Sequence, residues 1–263
     1  MMIRKIKLYI TLAAVALSAT SCLDKYPEDA ILEKDAMTTV EQANQVVVGI
    51  YSGFKNAPLY SGYLTLLPDL QADFAYAVTG YSNVYGNVWR WDILATNSEI
   101  TDVYGALYAI IGRCNFFLEN VDKVTFSSDA VKANYVAQAK AIRAYKYFLM
   151  NWWYGGVPII SSYSSADEAK VERNTEQEVR DYIAKDLDEA LAGIAEAPEA
   201  RGYIAKGAVL AIKMREALYY GDWQKAKDAA KAIIDLKQYE LDPDYTNLFK
   251  VSGVDSKEII LAD

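Results

Sequence analysis

Apolar positions along this chain recur at three- and four-residue spacing far more often than they alternate, which is the period of helices packed along one side. Thr39 followed by Gln42 has the form of a capping box, and Ala43, Val46, Val47, Ile50 and Phe54 carry the stripe on, so a first helix is expected to reach Ala57. A second helix is expected from about Ser98, with Ser98 as its capping side chain and Glu99 favourably placed in the first turn. Its stripe of Val103, Leu107, Ile110, Cys114, Phe117 and Val121 is close to a heptad seam, which makes Cys114 a buried, inert thiol. A third helix spans about 129–154 and presents Val131, Tyr135, Ile142, Tyr145, Phe148, Leu149 and Trp152, until Gly155, Gly156 and Pro158 end it. After a serine-rich link, Thr175 and Glu178 form another capping box. They open a fourth helix carrying Val179, Tyr182, Ile183, Leu187, Leu191 and Ile194, which Pro198 closes.

Residues 203–237 read as two helices broken at Gly221 and Asp222, with Gly221 and Trp223 setting the turn. Ala226, Ala229 and Ala230 give the second a small-residue face that permits close approach. This turn and its second helix are similar to a tetratricopeptide repeat, although the large Met214 stands where the first repeat helix usually has a small residue. Residues 60–94 break the helical pattern with Gly62, Pro68, Gly80, Asn83, Gly86 and Asn87. The expected fold is therefore all-α: an irregular helical array with tetratricopeptide-like hairpins and a long loop-rich excursion. No clean 34-residue period recurs, so a regular solenoid is not expected.

The first two dozen residues carry an address. Arg4, Lys5 and Lys7 precede an apolar run over 8–19, and Ala19, Thr20 and Ser21 lead into Cys22, the form of a lipoprotein signal with cleavage before an acylated cysteine. The run is too short to span a membrane, which takes about 20 apolar residues. Residues 1–21 are read as the signal peptide and 22–263 as one helical domain lipid-attached through Cys22. Removing the signal takes away three cations and no acid, so the charge moves from −8 to −11. That balance opposes nucleic acid as a partner. Once Cys22 carries lipid, Cys114 has no disulfide partner, so a core must hold the fold; 52% hydrophobic residues suffice for one.

Histidine is absent from the sequence, which excludes a Ser-His-Asp triad, a Cys-His pair and every His-ligated zinc site. Neither GxxxxGK[ST] nor GxGxxG occurs. Carboxylate-pair chemistry stays formally open, yet Glu176, Asp181, Lys185, Asp186, Asp188 and Glu189 read as a solvated helix face with an Asp181–Lys185 pair. Asp69 and Asp73, four apart, are the more interesting acids, but a glycosidase pair needs about 5–10 Å across a cleft.

The run AKAIRAYKYFLMNWWYGGVPII over 139–160 resembles the signature helix and exit of the SusD/RagB family of outer-membrane nutrient-binding lipoproteins. CLDKYPED from Cys22, LYAIIGRCNFFLENVD from Leu107, YYGDWQKAKDAAKAII and NLFKVSGVDSKEIILA from Asn247 occur in the order expected of the family. The resemblance implies a mostly helical protein anchored by palmitate-type lipid on the outer face of the outer membrane. It further implies a SusC-like TonB-dependent transporter as partner and capture of oligosaccharides, or sometimes peptides, without catalysis. No cofactor and no metal-ligating residue is assigned from the sequence. Family members are about twice this length, so the chain is read as a fragment or truncated product lacking the C-terminal half that adds loops to the ligand site.

One window supports a ligand on physical grounds. Phe74, Tyr76, Tyr81, Tyr85, Trp89 and Trp91 are interleaved with Asn83, Asn87 and Asp92 in a segment too glycine-rich for a core helix. Sugars present apolar C–H faces ringed by hydroxyls, which suits aromatic planes beside amides and carboxylates. Asp73, Tyr81, Tyr85, Asn87 and Trp89 are the candidate ligand residues; Phe74, Trp91, Trp152, Trp153 and Trp223 are assigned to packing. Two other classes compete: a lipid-anchored helical-repeat scaffold for envelope assembly and a lipoprotein glycosidase. A scaffold should bury the window's rings or present a flat groove, whereas a sugar binder should line a concavity with them.

Overall fold

A computed structural model describes residues 37–72, 74–81, 85–94, 96–162 and 171–261. Among them the fold is all-α, without strands: α1 (Val40–Ser52), α2 (Tyr63–Gln71), α3 (Gly86–Trp89), α4 (Ser98–Asn120), α5 (Asp129–Tyr154), α6 (Glu176–Gly193), α7 (Lys206–Tyr219) and α8 (Trp223–Asp235), with 3-10 turns between some of them. Cys22 and the signal lie outside the described residues.

Both capping boxes form. Gln42 N donates to Thr39 Oγ1 and Thr39 N to Gln42 Oε1, each at 3.2 Å; Thr175 N donates to Glu178 Oε2 at 2.7 Å. These bonds hold the Glu178 carboxyl below its usual range, the backbone N–H contributing most. Helix α1 stops short of Ala57, tightening after Ser52 into the 3-10 turn Gly53–Lys55. Pro58 disfavours a helical Ala57, and a Cβ on Gly53 would come within 2.6 Å of Ile110 Cγ1. Ser98 does not cap α4: Asn97 is the N-cap, and its Oδ1 accepts from Leu94 N at 2.7 Å, closing the preceding loop.

The whole predicted stripe of α4 is buried, and α5 packs between α4 and α6 with the bounds its sequence indicated. Burial lifts the Cys114 thiol to about 12, so it is inert at neutral pH. The α5–α6 pairing is antiparallel, since Lys140 meets Glu189, Arg143 meets Asp186, and Asn151 reaches the Glu176 carbonyl.

Here the expected solvated face of α6 is corrected. Asp186 is 2% exposed and receives Arg143 through two bonds, Nε to Oδ2 at 2.7 Å and Nη2 to Oδ1 at 2.9 Å. Burial opposes the guanidinium's charge, and the carboxylate more than offsets it, leaving the Arg143 pKa raised. Arg143 Nη1 also donates to Asn115 Oδ1 at 2.8 Å, while Asn115 Nδ2 donates to the carbonyls of Ile160 and Ser162. Elsewhere on that face Asp188 pairs with Lys213, and Asp181 accepts from Gln177 rather than Lys185.

The exit from α5 explains its paired glycines. Gly155 has φ of 71°, and a Cβ on Gly156 would sit 2.1 Å from the Asn174 carbonyl. The following strap is pinned by the Tyr147 hydroxyl, which accepts from Ile160 N at 2.7 Å and donates to the Ile160 carbonyl.

Between α7 and α8, Gly221 N bonds the Leu218 carbonyl and Asp222 N that of Ala217, a Schellman turn with Gly221 at φ 76°. Asp222 then caps α8 through Lys225 N, and buried Ala226 and Ala229 admit α8 against α7. Trp223 is 70% exposed, so it is not a packing residue. Trp152 is also exposed and keeps an edge contact with Tyr219 at 5.6 Å.

Candidate functional site

The 60–94 excursion is more ordered than its glycines suggest. Leu64, Leu67 and Leu70 bury one face of α2, and this spacing holds the helix although Pro68 lies inside it and supplies no backbone N–H. Leu67, Leu70 and Val88 make a small core, covered by Tyr63, Leu66, Ala75, Tyr85, Ile100 and Trp153. Through it α2 and α3 form one base for the aromatic residues.

On that base Phe74, Tyr76, Trp89 and Trp91 line a concavity of about 260 Å³ together with Leu70, Gln71, Ala72 and Ala75. Phe74 is 87% exposed and Trp91 68%, which overturns their assignment to packing. Tyr76 and Trp89 lie 6.4 Å apart with planes tilted by 56°. Of the candidate residues, Trp89 lines this concavity. Tyr81 is exposed and lies nearly parallel to Tyr85 at 6.1 Å, and Tyr85 is half-buried with its ring edge-on to Tyr63. Asn87 accepts from Arg90 Nη2 at 3.0 Å through Oδ1, and Asp73 lies outside the described residues. Desolvation, then the neighbouring Tyr85 and the Glu99 and Asp102 carboxylates, raise the Tyr63 pKa, so its hydroxyl stays protonated at neutral pH.

Trp91 is held in an unusual way. It has φ of 61°, and Trp91 N bonds the Val88 carbonyl while Asp92 N bonds that of Asn87. This is the same Schellman turn that ends α7, with a tryptophan where α7 uses Gly221. A bulky residue in the left-handed region costs on the order of 1 kcal/mol, and here the strain sets an indole at the rim of the concavity. Trp91→Gly is therefore expected to raise stability by about 1 kcal/mol in urea denaturation while weakening ligand binding. A loss of stability instead assigns Trp91 to packing.

A SusD-like family model, described as starch-binding and associating with the outer membrane, matches residues 22–215. The chain belongs to the SusD-like family. SusD-like protein P25 of Formosa agariphila is 26% identical over 271 residues, covering 99% of this chain and 51% of that relative. Among solved structures, a SusD-like protein from Bacteroides fragilis superposes with a TM-score of 0.75 at 23% identity, over 90% of this chain and 47% of that one. The surface glycan-binding protein A of Bacteroides thetaiotaomicron, solved in complex with laminarihexaose, superposes with a TM-score of 0.74 at 23% identity, over 85% of this chain and 49% of that one. The chain spans about half the length of these curated and solved relatives.

The window is legible in the sequence, whereas the exposed surroundings of Phe74 and Trp91 are not. Spacing alone misleads here: Phe74 follows Leu70 by four residues and Trp91 follows Val88 by three, yet both lie beyond their helices, which end at Gln71 and Trp89.

Proposed function

We propose that this SusD-like chain captures oligosaccharides on the cell surface and passes them, unmodified, to a SusC-like TonB-dependent transporter. The observation that carries the reading is the set of exposed rings lining one concavity, since apolar planes beside polar tips are what a sugar face needs. An envelope scaffold would bury these rings or lay them flat. The family's outer-membrane association and the glycan-bound neighbour support the same reading. Residues 22–263 act here as a helical domain held by lipid on Cys22 at the outer membrane and facing outward. A glycan array probed with protein lacking residues 1–22, with chromatography of each bound glycan, tests capture without catalysis. Retention of an oligosaccharide with no shorter product is the expected result; cleavage moves the protein to the glycosidase class.

The anchor has its own test. Cys22→Ser is expected to abolish acyl labelling and shift the protein from the membrane to the soluble fraction. A variant that stays labelled and membrane-bound contradicts the lipoprotein reading.

A further inference from the structure

The charges around the aromatic concavity select among glycans. Between Lys55 and Arg113 the sequence carries five carboxylates, Asp69, Asp73, Asp92, Glu99 and Asp102, and one cation, Arg90. Arg90 is turned back on its own helical turn: Nη2 donates to Asn87 Oδ1 at 3.0 Å, and a Cβ on Gly86 would meet Nη1 at 2.8 Å. The described residues lining the concavity include no cation. Two exposed carboxylates bracket it along the chain, Asp69 on α2 two residues before Gln71 and Asp92 directly after Trp91.

We infer that the site takes neutral oligosaccharides and rejects polyuronates and sulfated glycans. The inference rests on the oligosaccharide reading above and adds the ligand's charge class to it. An anionic sugar laid on these rings gives up water around its carboxylates and meets no cation among the described lining residues in return, which is costly. It also approaches a chain that carries −11 without its signal, past the like charges of Asp69 and Asp92 beside the lining residues in sequence. Neutral hydroxyls meet neither penalty, and the tyrosine, amide and carboxylate groups present can bond them.

The test compares laminarihexaose and other neutral hexasaccharides with galacturonate and sulfated hexasaccharides, by calorimetry at 20 and 500 mM NaCl, for wild type and an Asp69→Asn/Asp92→Asn variant. Wild type is expected to bind a neutral hexasaccharide with affinity changing less than twofold between the two salts. Acidic hexasaccharides bind at least on the order of tenfold more weakly at low salt, and both high salt and the double variant narrow that gap. Preference for an acidic glycan, lost at high salt and in Arg90→Gln, overturns the charge assignment while leaving glycan capture intact. A gap that neither salt nor the variant narrows assigns the selection to shape and also overturns it. Binding of no glycan of either charge overturns the capture reading and this inference together.

Discussion

Asp186→Ala is expected to destabilise the fold by about 3–5 kcal/mol, because it strands the Arg143 guanidinium in the core without its partner. Arg143 and Asp186 are 6% and 2% exposed, joined by two short bonds, and tied through Asn115 to the strap at Ile160 and Ser162. The lost carboxylate thus loosens the α5–α6 hairpin and the strap at once. Urea denaturation should show the midpoint falling with little change in slope. Replacing both partners, as Arg143→Met with Asp186→Leu, should restore most of the loss, since no buried charge then lacks a partner. A loss below 1 kcal/mol for the single variant means that water reaches Arg143 and that the hairpin is held by its apolar residues alone.

That pair also marks where the sequence stops being legible. The helices α4, α5 and α6 were readable because their apolar stripes, capping boxes and glycine exits are local signals, each resolved within a few residues. Asp186 was misread because it sits among Lys185, Asp188 and Glu189 on a helix of mixed charge, and only the arrival of Arg143 from 43 residues away makes it interior. The signature helix hides a second case: Lys146 is fully buried with its ammonium 3.5 Å from the Phe54 ring centre, a contact between α5 and the turn after α1 that periodicity does not encode.

The site divides along the same line. Trp89 was legible as a candidate because glycine and asparagine around it rule out a plain core helix. Tyr85 proved part of the support, packed between Tyr63 and Tyr81, because α2 folds in spite of Pro68 and brings Tyr63 beneath it. Phe74, Tyr76 and Trp91 come to line the concavity through two turns whose geometry depends on α2 and α3 sharing Leu67, Leu70 and Val88. The Trp91 turn could not be inferred, since a positive φ is a glycine signal and the residue there is tryptophan.

The central claim is that the exposed rings bind oligosaccharide, and Tyr76→Ala with Trp89→Ala tests it most directly. Both rings are exposed, at 69% and 40%, so folding stability should hold and the effect should fall on binding. Each ring contributes about 1 kcal/mol or more of stacking, so the pair removes about 2 kcal/mol, roughly thirtyfold in Kd. The measurement is a calorimetric titration of wild type and double variant with the tightest oligosaccharide found on the array, alongside urea denaturation of both proteins. The account predicts a thirtyfold or greater loss of affinity at an unchanged denaturation midpoint; equal affinity in the two proteins would contradict it and remove this concavity as the glycan site.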